Sequence, residues 1–235
     1  MMTAVGVPAS SGPGLRRSYP SPDRVPRLEE APVLNLYHSP RSRSMRVVWL
    51  AEELGLPYRI QTLEMFSDAM KTSDYLAIHP LGKVPAIDDD GFVLWETTAI
   101  LSYLIGRYSD GALLPPRETQ AGARAIQWMD FGENPLTVIM GEVAAHAGPM
   151  PEKWRVPALV TRGREVAPSL VAVVERALDG CPYILGDRFS AADIMLGFGL
   201  GIARYLEFVN DATPRTRDYL ERLTARPAYQ RAVLV

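Results

Sequence analysis

Val33, Leu34, Leu36 and Tyr37 make a short apolar run that Ser39, Pro40 and Ser42 interrupt, the pattern of a buried strand followed by a turn. Met45, Val48, Ala51 and Leu54, with Val47 and Leu50, then recur at steps of three and four. Gly55 followed by Pro57 supplies a stop, so this spacing predicts a helix. Residues 58–63 alternate well enough for a second strand, and two strands joined through a helix imply a parallel, right-handed crossover. Residues 64–79 hold Met65, Phe66, Met70, Tyr75, Leu76 and Ile78 without a clean period and read as an irregular helical connection. Residues 84–87 and 92–95 flank Asp89, Asp90 and Gly91, and an Asp-Gly pair between two apolar runs predicts a hairpin. A helix follows from Glu96 through Tyr108.

The order βαβ, connection, ββα is that of a thioredoxin-like α/β domain, assigned to 32–109. Ser109, Asp110, Gly111, Pro115 and Pro116 form a turn-rich boundary, with 110–116 as linker; 117–235 shows no convincing strand and is expected to be an all-α helical bundle domain. Within it, Pro135 should kink or split a helix over 120–140, and a long helix near 158–179 must accommodate Pro168. A final helix is expected over about 214–233. Phe189-Ser190-Ala191-Ala192-Asp193-Ile194 reads as a capping box with a hydrophobic staple, Asp standing for the more usual Glu. Residues 1–31, with Pro8, Pro13, Pro20, Pro22 and Pro26 among Ser, Gly and Arg, read as a flexible N-terminal extension.

Hydrophobic residues make up 47% of the chain and charged residues 22%, enough to bury a core. Lys plus Arg number 25 against 27 Asp plus Glu, a net charge of −2 with no long like-charge run, so neither nucleic acid nor an anionic membrane is an expected partner. No stretch approaches the roughly 18–20 apolar residues of a membrane span. The single Cys181 excludes an intrachain disulfide, a Cys-x-x-Cys redox pair and a Cys-rich zinc site, and its fit to a reducing compartment gives a cytoplasmic reading. His38, His79 and His146 show no ligand spacing, and no metal is expected. Gly197, Gly199 and Gly201 imitate part of a dinucleotide fingerprint but follow a helix start. They read instead as a small-residue face, Gly197 with Gly201, that lets another helix approach.

Five segments then carry a resemblance. They are Ser39 to Ser44 ahead of the first helix, Gly82-Lys83-Val84-Pro85-Ala86 before the third strand, Trp95-Glu96-Thr97-Thr98-Ala99-Ile100 at the hairpin exit, the Gly186 to Ile194 capping segment, and the Ala225-Arg226-Pro227-Ala228-Tyr229 ending. In this order the chain resembles the glutathione transferase family over nearly all of 32–235. The resemblance implies a domain that binds glutathione as co-substrate, a helical domain completing a second-substrate pocket, and a homodimer. It implies a cis Val84-Pro85 bond, leaving the N–H and C=O of Val84 to pair with the cysteinyl unit of glutathione as an added strand. Glu96 and Thr97 open a helix, where free N–H groups and the dipole favour an anion. Thr97 stands where the family usually has Ser and can donate to the γ-glutamyl carboxylate, Glu96 suits the adjacent ammonium, and Lys83 the glycine carboxylate.

A thiol of pKa about 8.5 is only about 3% ionised at pH 7, and moving it to roughly 6.5 takes about 2.7 kcal/mol. A helix N-terminus contributes about 0.3–1 kcal/mol, up to about 2 when partly buried, and a hydrogen bond to a charged acceptor about 1.5–3. The helix starting near Ser44 and one hydroxyl therefore suffice together. Ser42 and Ser44 stand at that end and Arg43 adds charge, although either serine also suits a plain N-cap. Tyr37, counted back from Gly55, falls near the position where tyrosine-type members keep their catalytic tyrosine; Ser42 is preferred, giving a serine-type, bacterial-type site. No cysteine stands at this helix start, which disfavours mixed-disulfide chemistry. Trp128, Met129 and Phe131 are candidates for the second-substrate pocket, with core packing as the competing reading. The reaction expected from the resemblance is thiolate attack on an apolar electrophile. Glutathione-dependent ether cleavage, dehalogenation, isomerisation, peroxide reduction and a non-catalytic binding or regulatory module stay open.

Overall fold

The computed structural model describes residues 33–235; the extension expected over 1–31 lies outside the described residues. The first part of the chain forms β1 (Leu34–His38), α1 (Met45–Leu54), β2 (Tyr58–Thr62), a 3-10 turn at Asp68–Lys71, α2 (Ser73–Ile78), β3 (Ala86–Asp89), β4 (Phe92–Trp95) and α3 (Thr97–Tyr108). The sheet runs β2-β1-β3-β4, with β1 parallel to β2, antiparallel to β3, and β3 antiparallel to β4. Crossover and hairpin are thus both present. Asp90 and Gly91 sit at φ 54 and 83, the left-handed pair that a tight two-residue hairpin turn requires. The irregular connection resolves into the 3-10 turn and α2.

Along β1, Leu34, Leu36 and His38 are buried on one face while Asn35 and Tyr37 are half-buried on the other. Helix α1 closes on Gly55 at φ 63, as its sequence predicts. Its Arg46, Val47, Val48, Trp49, Leu50 and Ala51 are all buried. A one-sided amphipathic helix would not bury six consecutive residues; α1 is covered both by α3 and by α7 and α9 of the second part.

That second part comprises α4 (Gln120–Phe131), a π-helical turn at Gly132–Thr137, α5 (Val138–Ala147), a 3-10 turn at Glu152–Trp154, α6 (Pro157–Ala177), α7 (Ala191–Tyr205), α8 (Pro214–Thr224) and α9 (Pro227–Ala232). Pro135 splits its helix as expected, with Asn134 driven out of helical φ/ψ. Pro168 is accommodated inside α6. The single final helix is corrected to two: Pro227 holds Arg226 at ψ 133, which ends α8 and begins α9. The small-residue face is also corrected. A Cβ at Gly197 would lie 3.1 Å from Trp49 and Leu223 and one at Gly199 2.8 Å from Thr137 Oγ1, whereas Gly201 has nothing within 4 Å. The capping box forms at the start of α7. Its Asp193 does more than cap: it is buried and accepts from the Ser190 N–H (2.7 Å), the Ser190 hydroxyl (2.8 Å), the Ile184 N–H (2.9 Å) and the Tyr219 hydroxyl (2.6 Å). Among the described residues no helix is long and apolar enough to cross a membrane.

Candidate active site

The register of the sheet gathers the candidate segments at one end. Tyr37, next to the last residue of β1, stands opposite Ala86 at the start of β3, and Ala86 stands opposite Trp95 at the end of β4. The loop into α1, the 82–85 segment and the β4–α3 junction therefore meet there.

In the first of these, the Ser42 N–H donates to the Ser39 carbonyl (3.2 Å) and the Met45 N–H to the Ser42 carbonyl (3.1 Å), winding the chain into α1. Ser44 occupies the N-cap position, yet its side chain does not cap. Its buried Oγ accepts from the Ser39 N–H (3.1 Å) and lies 2.6 Å from Ser42 Oγ and 2.9 Å from His38 Nδ1. Ser42 is half-buried and is the more accessible member of the pair; Ser44 is buried. The charge expected from Arg43 is already engaged, because its Nε pairs with Glu133 at 2.6 Å. Glu133 also receives the guanidinium of Arg46, which donates to Thr137 Oγ1 and lies 4.7 Å from the Phe198 ring centroid. Burial brings the Arg46 pKa down to about 10, and Arg46 and Arg43, against the burial of Glu133, hold its carboxyl below the usual range. Both partners remain charged at neutral pH.

Tyr37 lies on the opposite face of β1 from His38, its ring 5.5 Å from that of Tyr75 in α2. Burial, then the charge of Asp88, raise its phenol pKa. The Tyr75 hydroxyl donates to the Lys83 carbonyl (2.6 Å) and Lys71 Nζ to the Leu81 carbonyl (3.0 Å), so α2 and the turn before it strap down the 81–84 segment. Val84-Pro85 is cis, and among the described residues neither the N–H nor the C=O of Val84 has a partner. Lys83 is exposed. Gly82 has φ +55, and a Cβ there would sit 2.0 Å from the Met70 carbonyl oxygen. Gly82→Ala should therefore cost about 1–3 kcal/mol through forced backbone movement, read as a lower denaturation midpoint.

At the third segment Glu96 holds φ 75 and ψ 120, a conformation that costs a non-glycine residue about 1–3 kcal/mol and recurs at functional sites. It is exposed, and buried Thr97 follows as the first residue of α3. His79 stacks on Trp95 (5.3 Å); burial lowers its pKa while Glu96 raises it.

A cavity of about 310 Å³ opens beside Arg43, lined by Val138, Gly141, Glu142, Ala145 and His146 of α5 together with Met150. The three residues nominated for a second-substrate pocket are not among its lining. Met129 is wholly buried in the core, and Trp128 meets Phe131 edge-on at 5.4 Å and faces a separate cavity of about 830 Å³ with Leu113, Cys181 and Leu185. Helix α4 also packs against α7. The residues that sequence reasoning did not connect with the site are His38, Tyr75, Lys71, Glu133 and the α5 lining. Among the described residues no group of three or more His, Cys, Asp or Glu is arranged to hold a metal.

Comparison with known proteins finds matches for both parts of the chain. The glutathione S-transferase N-terminal domain model matches residues 32–106 and the C-terminal domain model residues 153–227. A rice protein named as probable glutathione S-transferase GSTF2 is 30% identical over 205 residues, covering 84% of this chain and 94% of its own. A solved glutathione transferase from Methylococcus capsulatus is 31% identical with a TM-score of 0.74, covering 86% of this chain and 98% of its own. A solved family member from Pseudomonas fluorescens, with two glutathione bound, is 27% identical with a TM-score of 0.76, covering 86% and 92%. Two domain models in the right order, matched on a chain whose sheet end gathers an unpaired Val84, a helix opening at Glu96-Thr97 and a hydroxyl at Ser42, lead to one assignment: the chain belongs to the glutathione S-transferase family.

Proposed function

We propose that the chain is a serine-type, bacterial-type glutathione transferase, cytoplasmic and homodimeric, whose bound thiolate attacks an electrophilic carbon of an apolar small molecule in the cavity beside Arg43. The observation that carries this reading is the unpaired N–H and C=O of Val84, presented at the sheet end that also holds Ser42 and Thr97. Val84 pairs with the cysteinyl backbone. Thr97 and the first amides of α3 take the γ-glutamyl carboxylate, Glu96 its ammonium, and Lys83 the glycine carboxylate. Ser42 donates to the sulfur and the N-terminus of α1 favours its charge. Arg43 orders Glu133 and borders the second substrate. Phe92 and Trp95, 37% and 38% exposed on the edge strand β4, support pairing with a second copy. Joining an anionic tripeptide to an apolar electrophile makes it water-soluble, which fits a role in detoxification.

Ser42→Ala removes one hydrogen bond to a charged acceptor, about 1.5–3 kcal/mol. Conjugation of a dinitrophenyl halide should fall roughly 10–150-fold in kcat/KM, with glutathione affinity little changed, and Tyr37→Phe should change it only a few-fold. Collapse on Tyr37→Phe with an active Ser42→Ala protein would reverse the assignment. A wild-type chain retained on immobilised glutathione but conjugating nothing would point to a binding module.

A further inference from the structure

At the end of β1 and the start of α1, Ser42, Ser44 and His38 form a hydrogen-bonded row. Ser42 Oγ lies 2.6 Å from Ser44 Oγ, Ser44 Oγ 2.9 Å from His38 Nδ1, and His38 Nε2 3.1 Å from the main-chain oxygen of Val235. Ser44 and His38 are each 1% exposed, so only the half-buried Ser42 end is accessible.

The hydrogens in this row can be assigned. A main-chain oxygen only accepts, so Nε2 donates to Val235 and a neutral His38 offers a bare Nδ1. That nitrogen takes the Ser44 hydroxyl hydrogen; the other acceptor in reach, the Ser39 carbonyl, is longer at 3.3 Å. At 2.6 Å one hydrogen must lie between the two serine oxygens, and with Ser44's already given to His38 it is Ser42's. In the free protein the Ser42 hydrogen therefore points inward, away from the sulfur position.

We propose that this row is a proton relay that carries the thiol proton of bound glutathione to His38. The thiol proton passes to Ser42 Oγ, the Ser42 hydroxyl hydrogen to Ser44 Oγ, and the Ser44 hydroxyl hydrogen to His38 Nδ1. One S–H bond breaks and one N–H bond forms, both hydroxyls are regenerated, and thiolate and imidazolium appear together with no change in net charge. Every donor then points outward: His38 Nδ1–H to Ser44, Ser44 O–H to Ser42, Ser42 O–H to the sulfur. The event that makes the thiolate also turns the hydroxyl that stabilises it. His38 acts through Ser44 and is a positioning residue. The inference rests on Ser42 serving as the sulfur's donor.

Burial lowers the His38 pKa, against the hydrogen bond to Val235, which favours the neutral ring in the free protein and opposes its charging, so the relay depends on the thiolate formed with it. Of the cations on the neighbouring elements, Arg43 and Arg46 pair with Glu133 and Arg231 of α9 with Glu52 of α1, while Arg59 of β2 and Arg41 of the same loop make no ion pair among the described residues. Tyr37, the adjacent titratable group on β1, lies on the other face of the sheet.

Calorimetric titration of the full chain with glutathione at pH 7, in buffers of different ionisation heat, measures protons released, while ultraviolet absorbance measures thiolate formed. The wild type should form thiolate while releasing well under one proton for each. His38→Gln, and separately Ser44→Ala, should form several-fold less thiolate and release about one proton for each that remains. Should His38→Gln fail to fold, Ser44→Ala decides. One proton released per thiolate in the wild type overturns the relay and leaves the transferase reading standing. A wild type with no thiolate signal, or a signal unaffected by Ser42→Ala, overturns both.

Discussion

Glu133→Gln should lower the unfolding free energy by about 3 kcal/mol, because it strips the carboxylate from a guanidinium that has nowhere else to place its charge. Arg46 is 0% exposed and Glu133 29%. Removing one partner of a buried pair costs about 3–5 kcal/mol, and the residual exposure of Glu133, which lets water approach Arg46, puts the value at the lower end. For a chain of this size the thermal midpoint should drop by roughly 6–12 °C. The folded-state pKa of Glu133 is depressed below its reference of 4.5, so its contribution is fully present above that pH and lost as pH falls through the lower folded value. The gap between wild type and Glu133→Gln, followed by urea unfolding, should therefore narrow as the solution is acidified below about 4.5. The double variant Arg46→Met, Glu133→Leu should lose less than Glu133→Gln alone, since it leaves no orphan charge. A Glu133→Gln protein as stable as the wild type would show that the pair does not fasten the two halves.

Asp193→Ala should cost about 3–5 kcal/mol. The carboxylate gathers four donors from three places: the Ser190 amide and hydroxyl, the Ile184 amide and the Tyr219 hydroxyl of α8. Each buried donor left without an acceptor costs about 1–3 kcal/mol, and relaxation with entry of water keeps the total below the simple sum. Asp193→Asn should recover little, because it sets an NH2 against two of the donors. Loss of soluble protein, or an unfolding midpoint shifted at constant m-value, is the readout. A shift below about 1 kcal/mol would mean that the network is held by the surrounding apolar packing.

Where the signal was local, the fold was legible. Helix α1 and its Gly55 stop, the Asp90-Gly91 hairpin, the break at Pro135 and the Ser190–Asp193 cap each depend on residues within a few positions of one another. Pro227 carried a signal of the same kind, which the periodicity over 214–233 masked. What escaped was set by distant partners. Arg46 pairs with a residue 87 positions away, so a cation in the middle of an apolar helix gave no clue to what would neutralise it. Met129 and Trp128 show the same helical spacing, and only the tertiary fold separates them, Met129 into the core and Trp128 onto the larger cavity. The lining of the cavity beside Arg43 comes largely from α5, a ten-residue helix that follows the Pro135 break. His38 shows no metal-ligand spacing, and only the fold of the 39–44 loop reveals its contact with Ser44.

Helix α1 belongs by sequence to the α/β half, yet Trp49 packs against Phe189 and edge-on against Tyr229, and Glu53 and Glu52 bind Arg226 and Arg231, all four partners lying in the helical half. The boundary drawn along the chain is thus not a seam in space. Chimeras that exchange the helical portion between relatives would strand this outer surface of α1, so its residues and their counterparts have to diverge in concert, and the polypeptide should melt as one cooperative unit rather than as two.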